Sequence, residues 1–134
     1  MIAGLLLLTS ATVSDSTTTL ATLRDLVRGF VEERDWRQFH SPKNLSMSLS
    51  IEAAELMEHF QWIDTAESRR ISDDAAKLAQ VREEIADCMC YLLALANELD
   101  VDLSSAVCDK MIKNAKKYPA ELSRGRHEPP QSQR

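Results

Sequence analysis

LAQVREEIADCMCYLLALANEL, residues 78–99, sets Leu78, Val81, Ile85, Cys88, Leu92, Leu95 and Leu99 at alternating spacings of three and four. At 3.6 residues per turn, that spacing keeps one side of an α-helix apolar. No glycine or proline interrupts it, so a long central helix is expected over roughly 73–99, with Ser72 as its N-cap. Glu84, Asp87 and Tyr91 run beside this seam at i, i+3 and i+7. The two acids therefore border the expected core instead of lying on the far, solvated side.

Immediately upstream, IEAAELMEHF at 51–60 repeats the arrangement with Glu52 and Glu55. The surrounding helix is expected over 42–62, with Ser41 as N-cap and Pro42 at its first position. Its seam reads Leu45, Leu49, Glu52, Leu56, His59/Phe60 and Ile63, so Glu52 stands where the pattern asks for an apolar residue. Such a local break in patterning accompanies function. Glu55 lies on the adjoining stripe with Ser48 and Trp62.

Two further helices complete the set. One is expected over 18–35, with Leu20, Leu23, Val27, Phe30 and Val31 inward. The other is expected over 103–118, capped by Asp102 and closed by Pro119, with an apolar stripe of Leu103, Val107, Met111 and Ala115. Only 3 Gly and 4 Pro occur in 134 residues, which also favours an all-α fold. A four-helix bundle is expected. Long apolar faces in so short a chain imply further burial between subunits, as a dimer or a dimer-of-dimers tetramer. Met47, Met57, Met89 and Met111 are expected to fill the core.

The domain is expected to span 19–122, after a flexible leader at 1–18 and before a disordered polar tail at 123–134. The apolar run Ile2–Leu8 is too short to cross a bilayer and lacks a basic stretch before it, so neither membrane insertion nor export is expected. A net charge of −5 argues against a nucleic-acid polymer as partner. Cys88, Cys90 and Cys108 show no zinc spacing and are expected as reduced thiols, which fits a cytoplasmic location.

Four carboxylates gathered on two helices repel one another unless cations hold them ionised. Oxygen-only ligation selects Mg²⁺, or Mn²⁺, over zinc. Di-iron bundles use Glu-x-x-His, which neither acidic pair provides, although His59 follows Glu55 by four residues. Clustered divalent metal of this kind suits phosphate chemistry.

Glu52-Ala-Ala-Glu55-Leu56 followed by Glu84-Ile-Ala-Asp87 resembles the MazG-like all-α nucleoside triphosphate pyrophosphohydrolases. The likeness extends to Arg34-Asp35-Trp36, to Phe39-His40-x-Pro42-x-Asn44-Leu45, to Phe60-Gln61-Trp62 and to Lys110-Met111-x-x-Asn114-x-x-Lys117-Tyr118-Pro119, segments similar to the dCTP pyrophosphatase branch. The resemblance implies that Glu52, Glu55, Glu84 and Asp87 bind Mg²⁺. It implies hydrolysis of a deoxynucleoside triphosphate, of the dCTP kind, to the monophosphate and pyrophosphate, as nucleotide-pool sanitation. Glu52 and Glu55 are then the catalytic candidates, with Glu55 orienting the attacking water. Trp36, His40, Trp62 and Tyr91, with Asn114, are implied to shape a pyrimidine pocket. Lys110 and Lys117, with Asn114 between them, can meet phosphate from the fourth helix, and Tyr118 either packs or binds phosphate. The alternatives are a helical bundle that binds a nucleotide without turning it over, and a structural bundle whose acids face water.

Overall fold

The computed structural model describes residues 13–126; the apolar run Ile2–Leu8 and the tail beyond residue 126 lie outside the described residues. The helices follow in the order α1 (Leu20–Glu33), α2 (Pro42–Glu58), α3 (Thr65–Ser68), α4 (Ala75–Glu98), α5 (Leu103–Lys117) and α6 (Ala120–Ser123), with 3-10 turns at Trp36–Phe39 and Ile71–Asp73. Among the described residues there is no strand, as an all-α fold requires. No helix among them is long and apolar enough to cross a membrane.

Side-chain caps fix most of the helix starts. The Thr19 hydroxyl accepts from the Thr22 amide at 3.1 Å, Ser41 from Asn44 at 3.2 Å, and Asp102 from Ser105 at 2.8 Å. Each such cap contributes about 0.5–2 kcal/mol. The expectation for Ser72 fails. Residues Ile71–Asp73 form a 3-10 turn, and the Asp74 carboxylate accepts from Ala76 at 3.0 Å and Lys77 at 3.1 Å. One carboxylate thus satisfies two of the free amides at the start of α4, which a hydroxyl two residues earlier could not reach.

The chain divides between Asp100 and Val101 into two compact units. In the first, α4 packs against α2 and, to a lesser extent, against α1. The α2 seam is as the pattern predicts: Leu45 is 2 % exposed, and Leu49, Glu52, Leu56, His59, Phe60 and Ile63 are partly covered. The α4 seam is not. Val81, Leu93, Ala94 and Ala96 are buried, whereas Ile85, Leu92 and Leu99 are 52 %, 42 % and 53 % exposed. Two of the buried residues are alanines, and the 85–92–99 stripe faces outward. The two flanking helices, not the apolar period alone, therefore decide which face of α4 is covered.

A polar clamp holds α1 to the end of α4. Arg24 Nε donates to Asn97 Oδ1 at 2.9 Å, and Asn97 Nδ2 donates back to the Arg24 carbonyl at 2.9 Å. The Ala96 carbonyl and Arg28 join the same network. In the second unit, α5 buries none of its residues, and Val107, Met111 and Ile112 are all exposed. Met47 and Met57 are exposed as well, so only Met89 among the four methionines approaches the core role expected of it.

Candidate active site

Glu52 and Glu55 lie three residues apart near the middle of α2, and Glu84 lies on the facing stretch of α4. One oxygen from each falls within 4.8 Å of the others. The helical period explains the pair on α2; the packing of α4 on α2 supplies the third acid. Glu52, on the seam, is half-buried, while Glu55 beside it is exposed. Burial, followed by the charges of Glu55, Asp87 and Glu84, raises the Glu52 carboxyl above its ordinary value. Like charges so placed oppose one another until a cation joins them.

Geometry and donor type fit a hard divalent ion. Oxygens bound to one Mg²⁺ at ~2.0–2.1 Å lie ~2.9 Å apart when adjacent and ~4.2 Å apart when opposite, so the three carboxylates would draw together around a shared ion. Glu52, Glu55 and Glu84 could hold such an ion. Asp87 stands outside this tightest group, yet its charge reaches Glu52. His59, at the end of α2, brings its Nε2 to 3.9 Å from Glu84 Oε1.

Asp87 also lines a cavity of about 430 Å³ between α1 and α4. Phe30 from α1, Trp36 from the 3-10 turn, His40 beyond it, and Cys90 and Tyr91 from α4 supply much of the wall. That volume lies within the ~300–1,000 Å³ of small-molecule sites. Asp35 takes a left-handed backbone, φ 52°, where α1 gives way to the turn that carries Trp36. Gln38 Nε2 braces this corner by donating to the Asp35 carbonyl at 2.9 Å and its carboxylate at 3.1 Å. Trp36 meets Phe30 edge-on, with ring centroids 5.8 Å apart, and stands 6.5 Å from the His40 ring. Among the described residues, buried His40 Nδ1 has no hydrogen-bond partner, a deficit that a polar ligand atom would meet.

Three of the aromatic candidates, Trp36, His40 and Tyr91, therefore share one cavity with Asp87. Trp62 is not among its lining residues and is 86 % exposed beyond the end of α2. Lys110, Asn114 and Lys117 lie at i, i+4 and i+7 on α5, in the second unit. There Lys117 Nζ stands 5.2 Å from the Tyr118 ring centroid. Sequence reasoning missed Phe30 and Cys90 as cavity walls and His59 as a neighbour of Glu84. Phe30 was legible only as an apolar position, and its four-residue spacing from Arg34, whose guanidinium covers its ring at 3.6 Å, was a local signal. All three cysteines are free, and burial pushes the Cys88 and Cys90 thiols up, helped by nearby carboxylates.

Residues 47–128 match a family model described as the MazG-like family. The chain is 45 % identical over 107 residues to dCTP pyrophosphatase 1 of Rattus norvegicus and 43 % identical over 106 residues to dCTP pyrophosphatase 1 of Homo sapiens. These alignments cover 80 % and 79 % of this chain, which spans 63 % and 62 % of the lengths of those curated relatives. A solved pyrophosphatase structure from Archaeoglobus fulgidus DSM 4304 superposes with a TM-score of 0.69 at 42 % identity, covering 75 % of this chain and 92 % of that one.

Proposed function

We propose that this chain, which belongs to the MazG-like family, hydrolyses deoxynucleoside triphosphates of the dCTP kind to the monophosphate and pyrophosphate, so cleansing the nucleotide pool. The observation that carries the reading is a three-carboxylate cluster joined through Asp87 to an aromatic cavity large enough to admit a nucleobase. The names of the similar proteins support the same reaction and the same base.

Glu52, Glu55, Glu84 and Asp87 would hold Mg²⁺, with Mn²⁺ as substitute. When bound, the ion neutralises phosphate charge and lowers the pKa of a coordinated water. Glu55, the exposed member, is the group best able to orient the attacking water as general base. Water adds to the α- or the β-phosphorus, the phosphoanhydride link between them breaks, the water's proton passes to the carboxylate, and the monophosphate and pyrophosphate separate. Trp36 from the 3-10 turn, Phe30 from α1 and Tyr91 from α4 would stack on the base, and His40 Nδ1 would offer one polar contact to its edge. Base–aromatic stacking contributes ~1–3 kcal/mol per base.

Lys110 and Lys117, with Asn114 between them on α5, are assigned to the phosphates by the charge of the lysines and their matched spacing, while Tyr118 either packs or binds phosphate. Trp62 is assigned to the base; its exposed indole gains most from being covered by ligand or by a second subunit. The exposed 85–92–99 stripe supports a homo-oligomer, a dimer or a pair of dimers. One catalytic domain over 19–122 and a cytoplasmic setting, in keeping with free thiols, complete the proposal.

The test is pyrophosphate release from each of the four deoxynucleoside triphosphates with and without Mg²⁺. Metal-dependent turnover favouring dCTP is expected. Tight nucleotide binding without product would replace the enzyme by a sensor, and neither binding nor turnover would end the reading.

A further inference from the structure

We propose that His59 is a positioning residue that sets the affinity of the carboxylate cluster for its divalent cation by holding Glu84. The inference rests on the proposed metal centre and concerns a residue to which no role has yet been assigned.

Three observations meet at this imidazole. His59 follows Glu52 by seven residues and Glu55 by four, so it lies on the same face of the chain leaving α2. Its Nε2 is 3.9 Å from Glu84 Oε1, and the two side chains retain only 25 % and 20 % of their exposure. It does not belong to the group whose ligand atoms converge within 4.8 Å. The geometry thus puts His59 beside Glu84 and outside the tight cluster.

A carboxylate that ligates metal with one oxygen works best when its orientation is fixed by a hydrogen bond to the other. Glu84 is the only member of the tight group that comes from α4, so its rotamer decides whether the third oxygen faces Glu52 and Glu55 or turns away. From 3.9 Å, a modest side-chain rotation brings Nε2–H to hydrogen-bonding distance, about 2.7–3.2 Å. His59 would then tie the third acid to the helix that carries the other two. Such outer partners of metal ligands commonly alter metal affinity by about 10–100-fold.

The experiment titrates the full chain with Mn²⁺ alone, reading free ion by electron paramagnetic resonance. It compares the natural protein with His59→Leu and His59→Gln, the latter keeping an N–H donor near the Nε2 position. Thermal melting of each metal-free protein checks that the fold is retained. The expected result is a loss of about 10-fold or more in Mn²⁺ affinity for His59→Leu, with substantial recovery in His59→Gln. Unchanged affinity in a folded His59→Leu overturns the role. So does an equal loss in both variants together with nitrogen coupling to Mn²⁺ in the natural protein, because the imidazole would then contact the ion directly. If the natural protein itself binds no Mn²⁺, the metal centre of the proposed function fails along with this inference; the variants alone test His59.

Discussion

Replacing Glu52 with Gln should make the metal-free protein more stable and remove its response to Mg²⁺. The substitution keeps the side-chain shape and deletes one charge from a group whose oxygens lie within 4.8 Å. Two unit charges at that limit repel by ~0.9 kcal/mol in a water-like medium and by ~3.5 kcal/mol at an effective dielectric constant of about 20. Glu55 is exposed and Glu52 half-buried, so solvent screening favours the lower end, and the two nearest repulsions together amount to ~1–2 kcal/mol. For a chain of this size, that raises the midpoint of melting by roughly 3–8 °C in chelator. The natural protein should recover about 1.4 kcal/mol when Mg²⁺ reaches ten times its Kd, whereas Glu52→Gln should recover little.

The same argument fixes a pH dependence. Because the Glu52 carboxyl is raised in the fold, the folded chain holds that proton more tightly than the unfolded chain. Its contribution is fully present below the ordinary value of 4.5 and is lost as pH rises through the raised folded value. The stability difference between Glu52→Gln and the natural protein should therefore grow with pH across that interval. Calorimetry in chelator and in Mg²⁺, repeated over pH, reads both effects. If Glu52→Gln melts earlier in chelator yet keeps the full Mg²⁺ response, Glu52 supports the fold and holds no ion.

Trp36→Ala should raise the KM for dCTP about 5–150-fold while changing kcat far less, since a lost stacking contact is worth ~1–3 kcal/mol; steady-state kinetics check this, and an unchanged KM removes Trp36 from the base site. Leu92→Asp places a charge in the exposed 85–92–99 stripe and should dissociate the oligomer with the helical content kept, as light scattering and circular dichroism would report. An assembly of unchanged mass would move the interface elsewhere. Leu45→Ala, at a side chain 2 % exposed, should cost ~2–5 kcal/mol in a denaturant titration, and a cost below 1 kcal/mol would contradict the α2–α4 core.

Much of α2 was legible in the sequence. Ser41, Pro42 and the run from Leu45 to Ile63 specify a start, a face and an acid on that face, all through local chemistry. The paired acids were legible for the same reason, since residues three apart must share a side of a helix. The covered face of α4 was legible only in part. Its apolar residues lie on more than one side, and the choice between Ile85, Leu92 and Leu99 outward and Leu93, Ala94 and Ala96 inward depends on where α1 and α2 pack. Ser72 and Asp74 were both chemically able to cap, and the 3-10 turn over Ile71–Asp73 decided between them. The division of labour between Glu84 and Asp87 likewise follows from tertiary packing: three residues advance the helix by slightly less than a turn, so Glu84 meets α2 while Asp87 reaches the cavity beside α1. His59 facing Glu84 and Phe30 facing Trp36 are contacts between segments, to which a period along one helix is blind.

Crystals grown with Mn²⁺ and measured for its anomalous signal test the shared-ion centre most directly. The expected result is an ion bounded by oxygens of Glu52, Glu55 and Glu84 at direct ligation distance, about 2 Å. A clear map with those carboxylates turned apart and no ion among them, at saturating Mn²⁺, would contradict it.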